Sequence, residues 1–553
     1  MIASKFLRNS LPSQRTLVGY LALFSFLASL VTASPTQAAS ISVVSQTQGS
    51  TPFIWNVTLG GINTTSLTSI QFSISPKAGS VTQPISATYS TTYLNSQNRI
   101  NSGSGQVTIA VFGLYASNQI NLNNVTISVK NGRSTSTIQD LITTNTWNDS
   151  PYSTPRVVTP RNNRVNLDYS FFYLRDFADS SGPVIIDTDG EVRWIGTTGC
   201  STPAFKFYQR SFYVACRTGT NTSPTTLFQN NLDGSRGPIF DYAGGTVNAS
   251  FIGHHNYDIG KQGLLLEINA NGNQEQEIIE VSPTTGEVFK TFDFSKIISQ
   301  AMSAGGDDPT LFVHDPIDWF HNNAATYWPS RNELVVSSRE QFVISIDYTT
   351  QKIKWILGDP TKSWYSFKSL RKLTLKLAPG TIYPQGQHAV SITSNNELLL
   401  FDNDLASFSG SGGTLNPSPP YSAPRRYSIN ENSGTATETW QFLRSQPLYS
   451  PICSSVYQDG RSYLIDYASQ GMPDWGNALG NGYGLGPEIM GIDSNKNVAF
   501  DFYYPSHFTT AWNSDPIHLE NLQFAAGAPL LTSAAILSPL APSDTGLTSD
   551  FSW

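Results

Sequence analysis

From about Val165 onward the sequence repeats one unit: an apolar strand, an acidic or polar turn carrying Gly or Asn, and a strand containing an aromatic residue. Six copies can be read, at 184–194, 227–235, 278–289, 343–355, 426–436 and 489–500. Between them lie complementary hairpins such as Glu333-Leu-Val-Val-Ser-Ser and Glu397-Leu-Leu-Leu-Phe. A hairpin recurring at this spacing cannot bury both faces alone, so neighbouring units must stack. Two hairpins per unit make a four-stranded blade, and radial repetition removes long exposed edges. The reading is all-β: a six-bladed β-propeller over 165–525. A second sandwich would not explain the recurrence.

Upstream, residues 40–138 read as short alternating strands broken by Gly, Asn and Ser, with almost no charge and no His. About seven strands in that length predict a small N-terminal β-sandwich without chemistry of its own. Residues 139–164, with Pro151, Pro155 and Pro160, read as a linker, and 526–553 as an Ala/Ser/Pro-rich tail. The tail lacks the apolar end a lipid-anchor signal needs.

Residues 1–39 carry Lys5, Arg8 and Arg15, then an apolar run from Leu17 to Val31, then small residues. This predicts a signal peptide cleaved near 33–39. The run is shorter than the roughly 20 residues of a spanning helix, so a signal anchor is the weaker alternative, and no other segment could span a membrane. A secreted or secretory-lumen protein is expected. Sequons at Asn56, Asn63, Asn124, Asn148, Asn221 and Asn248 fit that route as glycosylation candidates. Of three cysteines, Cys200 and Cys216 flank a hairpin and are candidates for a disulfide, leaving Cys453 as a buried thiol. Net charge is −7 with no basic run, which argues against nucleic acid as a partner. No metal-ligand spacing and no cofactor motif are present, and oligomeric state is not readable.

Seven His occur, and four of them precede the apolar strand patterns that the reading assigns to the blade interiors: His254 and His255, His321, and His388. Equivalent positions on successive blades converge on one axis, so residues distant in sequence become neighbours. The equivalent point of a further blade carries Ser454 and Ser455. Asn323 follows His321 by two residues, on the same face of an extended strand. Arg339 closes the strand that His321 opens. A grouping of His, Asn and Arg without paired carboxylates suggests anion chemistry: Arg offers a donor fork, and neutral His a nucleophile or acid–base group. His314, His507 and His518 read as structural. Trp319 and Tyr383 are candidate walls of an aromatic-substrate pocket.

These residues resemble the arylsulfate sulfotransferases that do not use the nucleotide sulfate donor, in a form suggesting a secreted eukaryotic, fungal member. The likeness lies in Asp318-Trp-Phe-His-Asn-Asn-Ala with Val336-Ser-Ser-Arg339, and in Gly386-Gln-His-Ala with Leu399-Leu-Phe-Asp-Asn403. His254-His255-Asn256, Lys354-Trp-Ile-Leu-Gly358 and Val111-Phe-Gly-Leu-Tyr-Ala116 are similar too. The resemblance implies that His388 is the nucleophile that becomes sulfohistidine. It implies that His321 and Arg339 act on the sulfuryl group, with Asn323 binding substrate. One of His254 and His255 would be a further active-site His, with a lean to His255, and Ser454 or Ser455 would supply a hydroxyl ligand. Aryl sulfates and phenols would be the substrates, in a ping-pong reaction. A binding or scaffold propeller, and a secretory-pathway cyclase or isomerase on the same scaffold, are the competing classes. A hydrolytic sulfatase fits less well for want of a metal-binding carboxylate cluster.

Overall fold

The computed structural model describes residues 40–148, 155–176, 182–197, 204–217, 225–241, 252–269, 275–314, 318–407, 421–470, 486–504 and 511–525. Residues 1–39 and 526–553 lie outside these, as do Cys200, Asn221, Asn248 and His507.

Near the N-terminus, β-branched and aromatic residues alternate with polar ones, as in Leu67–Ile74, where Leu67, Ile70, Phe72 and Ile74 are buried. Such strands have one face to bury. Two antiparallel sheets do so against a shared core. One holds Ser42–Gln48, Ile54–Gly60, Gln106–Phe112 and Ile100–Asn101. The other holds Ile85–Ser90, Leu67–Ile74, Asn123–Asn131 and Ser134–Ile142. Val57, Leu59, Ile70, Phe72, Ile109 and Ile127 meet between them.

Farther along, strands such as Glu333–Ser338 and Gly486–Ile492 are buried at every residue. A strand covered on both faces must lie between neighbouring layers. Among the described residues six sheets follow, antiparallel except where Lys376–Leu377 joins Thr435–Gln441 in parallel, and their innermost strands are Ala511–Ile517, Phe205–Tyr208, Ile252–Ile259, Asn322–Trp328, His388–Ile392 and Ser455–Asp459. Polar contacts join each of these strands, or the residues leading into it, to the next. Lys206 Nζ bonds Asp515 at 2.6 Å and Asp258 at 3.0 Å. His255 meets His321, Asn323 Nδ2 donates to Gln387 O (2.9 Å), and Cys453 N donates to His388 Nε2 (3.2 Å). Ser455 Oγ donates to Ser514 O (3.1 Å), which returns to the first sheet. The innermost strands thus form a closed ring, a propeller-type architecture.

Chain ends close it. Ala511–Ile517 pairs antiparallel with Phe171–Asp176, so the first sheet takes its innermost strand from the C-terminal region. Arg156–Thr159 pairs with Val498–Tyr503 at the rim of the sixth sheet. The stretch read as a linker therefore holds a strand, for which Val157-Val158-Thr is suited at an edge. Leu522–Phe524, read as propeller, instead pairs in parallel with Ile85–Ser90 of the N-terminal sheet. A further departure from the strand pattern is the helix Phe294–Gly305, capped by Asp293 on Lys296 N and ended by Gly306 at φ 84°. No described helix is long and apolar enough to cross a membrane.

Cys216 is disulfide-bonded, while Cys453 is buried and in no disulfide. Among the sequons, Asn63, Asn124 and Asn148 are exposed, whereas Asn56 is half-buried.

Candidate active site

The histidines sit one strand earlier than the apolar runs suggested. Leu264–Asn269, Glu333–Ser338 and Leu398–Asp402 are second strands, and the imidazoles belong to the innermost strands before them. Each of these enters through a bulge. Pairing jumps from Gly253/Ile268 to Tyr257/Leu266, from Asn322/Ser338 to Ala324/Ser337, and from His388/Phe401 to Ser391/Leu399. At each bulge, or beside it, a non-glycine residue takes positive φ: His255 (45°), His321 (54°) and Ala389 (54°). Before the sixth innermost strand, Cys453 and Ser454 do the same at 54° and 79°. Bulges re-aim side chains, and strained residues persist where the surroundings fix them. Here they turn residues of separate sheets toward one axial point.

At that point a narrow cavity is lined by His255, Asn256, Asn323, His388, Ala389, Ser454 and Asn513, with room for about one water molecule. Four expected site residues line it: His255, Asn323, His388 and Ser454. Four others do not. His254 is buried beside it, edge-on to His255 with ring centroids 5.2 Å apart and 4.0 Å from Glu267. Arg339 is buried, its N–H on His321 O (3.0 Å) and its Nε on Glu340 (3.1 Å). Ser455 spends its hydroxyl on Ser514 O. His321 is fully buried behind His255, with the two Nε2 atoms 2.9 Å apart.

His321 corrects the expectation of a site without paired carboxylates. Its Nδ1 lies 2.6 Å from Asp318 Oδ2 and also contacts Glu275 Oε2. Burial opposes charge on His321, as does Arg339, yet Asp318 and Glu275 carry its pKa up to about 9. His255 moves the other way, pushed well below its ordinary value mainly by burial. Burial also opposes ionisation of Glu275, but the charge on His321 and the side-chain contacts of His321 and His255 hold it well below the usual carboxylate range. The consistent assignment is a charged His321 donating through Nε2–H to the Nε2 lone pair of neutral His255.

His388 is the complementary case. Burial lowers its pKa to about 3, with Arg339 and His321 adding to the effect. Its Nδ1 faces two acceptors, Asn403 Oδ1 at 2.8 Å and Gly386 O at 3.0 Å. The Nδ1–H tautomer follows, with the Nε2 lone pair accepting from Cys453 N–H at 3.2 Å on a residue that lines the cavity. The Gly386-Gln-His sequence has a local reason. Gly386 has φ 60°, and a Cβ there would stand 2.8 Å from Leu405 O. Gln387 Nε2 ties the turn to Ser337 Oγ (3.1 Å) and Ser338 O (2.8 Å) on the neighbouring sheet.

Two side-chain groups could chelate a cation among the described residues: His254, His255 and Glu275, and Glu275, Asp318 and His321. Trp319 and Tyr383 do not line the cavity. Trp319 Nε1 donates to Gln276 (2.8 Å) inside a core cluster, and Tyr383 packs against another. His314 and His518 are exposed and do not line the cavity, and His518 is paired with Asp459 and Glu520.

Residues 126–513 match the family model described as arylsulfotransferase (ASST), which is more than half of the chain. The chain belongs to the arylsulfotransferase family. A curated relative, arylsulfate sulfotransferase AssT of Escherichia coli O6:H1 (strain CFT073), is 30% identical over 172 residues. That match spans 27% of this chain and 27% of the relative. Solved structures with some likeness include the β-propeller domain of Myceliophteria_thermophila Cps50 (Swd1), at 10% identity and TM-score 0.32 over 61% of this chain and 88% of that one. Another is a europium-containing methanol dehydrogenase, at 9% identity and TM-score 0.29 over 70% and 77%.

Asp318, Glu275, Asn256, Asn403 and Asn513 carry roles that sequence reading did not assign. Asp318 and Asn403 lie inside the motifs quoted above, at positions i−3 from His321 and directly after the Leu398–Asp402 strand. Glu275 and Asn513 have no local signal, since one comes from a loop and the other from the closing strand.

Proposed function

We propose that this chain transfers a sulfuryl group from an aryl sulfate to a phenol by double displacement on His388. The observation that carries the reading is the state of His388, which lines the cavity: neutral, with its proton held on Nδ1 by two acceptors, and with an Nε2 lone pair that Cys453 N–H contacts at 3.2 Å until sulfur takes its place. Membership of the arylsulfotransferase family supports the substrate class. Nε2 attacks sulfur, the S–O bond to the aryl group breaks, and the electron pair leaves with the phenolate oxygen. The acceptor phenol then attacks the sulfohistidine, and Nε2 regains its lone pair. One site serves donor and acceptor in turn.

Positioning and charge stabilisation should dominate, because the moving group is a charged tetrahedral centre. His321, held cationic by Asp318 and Glu275, supplies positive charge and a proton. His255 stands between it and the cavity, so the proton reaches the departing phenolate through the His321–His255 pair and returns by the same path from the acceptor. Asn323 and Ser454 border the space that the oxygens of the sulfuryl group would enter. Arg339 adds a buried positive field. Passage through the secretory route, with cleavage near 33–39 and sugars on the exposed Asn63, Asn124 and Asn148, belongs to the same proposal.

The test is transfer from p-nitrophenyl sulfate to a phenol by purified protein, with both concentrations varied. Parallel double-reciprocal lines are expected. Intersecting lines would argue for a ternary complex, and absence of transfer for a scaffold or a different tailoring reaction.

A further inference from the structure

Behind His388 sits a side chain whose hydrogen bonds are fully determined. Asn403 is completely buried, directly after the strand Leu398–Asp402. Its Nδ2 donates to Ser450 O at 2.7 Å and to Cys453 O at 3.0 Å. Carbonyls only accept, so these two partners fix which end of the amide carries hydrogens. The other end, Oδ1, is thereby aimed at His388 Nδ1, 2.8 Å away. Gly386 O is a second acceptor at the same nitrogen. Across the ring, Cys453 N–H approaches Nε2 at 3.2 Å. The alternative tautomer would set a bare Nδ1 against two oxygens and an Nε2–H against an N–H.

We propose that Asn403 is a positioning residue for sulfuryl transfer: clamped by the Ser450 and Cys453 carbonyls, it holds His388 in the tautomer whose Nε2 is nucleophilic. This rests on the reading of His388 as nucleophile. The same contact acts during the reaction. When the Nε2 lone pair bonds to sulfur, the aryl oxygen leaves with its electron pair, the proton stays on Nδ1, and the ring gains positive charge. Asn403 Oδ1 and Gly386 O then face the Nδ1–H that bears part of that charge. These are fixed dipoles aimed at developing charge, which need no reorganisation.

The account predicts the Nδ1–H tautomer for His388 in the wild-type protein, read from ¹⁵N shifts of histidine-labelled full-length chain with a His388→Gln spectrum for assignment. An Nε2–H tautomer there would overturn the proposal without any Asn403 variant having to fold. Asn403→Leu removes the acceptor at similar size. It should lower the rate of covalent labelling by p-nitrophenyl sulfate by about 10–10²-fold, the worth of one hydrogen bond to a charging group. Asn403→Asp keeps an acceptor but adds negative charge, so the acid limb of kcat/KM should move to higher pH, an effect that mere packing damage would not produce. Wild-type labelling on His388 with unchanged rate and pH profile in both variants would refute the role of Asn403 alone. No label on wild-type His388 would instead sink the nucleophile reading.

Discussion

Replacing Asp318 by Asn removes one of two carboxylates from the Nδ1 side of a fully buried His321. In the intact protein those carboxylates overcome burial and Arg339 to carry the His321 pKa from 6.5 to about 9. That gap corresponds to about 3 kcal/mol of preference for the charged ring. Because the folded value lies above the unfolded one, this stabilisation is complete below about pH 6.5. It declines as pH rises and is gone above about 9. With one carboxylate left, the variant should lose roughly 1–2 kcal/mol at pH 6.5 and almost nothing at pH 10. Urea unfolding of both proteins at the two pH values measures the difference. His254 and His388 slope the other way. Burial lowers them to about 4 and about 3, so the unfolded chain takes up protons first and stability falls as pH drops below 6.5. A loss of equal size at pH 6.5 and pH 10 would refute the claim that Asp318 acts by holding His321 charged.

Other consequences can be measured separately. Arg339→Ala removes a buried positive charge near His321 and His388 without removing a cavity donor, so it should slow transfer by about 10–10²-fold, less than the loss of a direct donor to a developing anion, while His388 still becomes labelled; single-turnover rates with p-nitrophenyl sulfate read this. Lys206→Met leaves Asp258 and Asp515 unpaired between innermost strands, and should cost about 3–5 kcal/mol in denaturant unfolding. Gly386→Ala forces a Cβ toward Leu405 at positive φ, so a stability loss of about 1–3 kcal/mol with a reduced kcat is expected. Exhaustive chelation should leave transfer unchanged, since a proton on His321 Nδ1 accounts for the carboxylates; loss restored by a divalent metal would assign them to a cation instead.

How far the sequence could be read follows from what each feature depends on. The strand-rich class was legible because hairpin turns and alternation are local. His255, Asn323, His388 and Ser454 were reachable because equivalent phase on repeated units converts sequence position into a shared axis. Which strand carried them was not, since the apolar runs mark the fully buried second strands rather than the bulged, polar innermost ones. Asp318 stood three residues before His321, yet its role depends on a bulge that folds His321 back over it. Glu275 arrives from a loop of the sheet that carries His255, where no strand pattern marks it, and Asn513 comes from the closing strand, so ring closure is what brings it near. Arg339 and Ser455 show the converse: Arg339 Nε bonds Glu340, the Ser455 hydroxyl bonds Ser514 O, and neither residue lines the cavity.

The claim on which the rest depends is a covalent intermediate on His388 Nε2. Brief incubation of the wild-type chain with an aryl sulfate and no acceptor, followed at neutral or alkaline pH by peptide mass spectrometry, addresses it. The account predicts one added sulfuryl group on the peptide containing His388, lost on adding a phenol and absent from His388→Ala. A sulfuryl adduct persisting on His388→Ala, or transfer to phenol with no adduct on any residue, would contradict it.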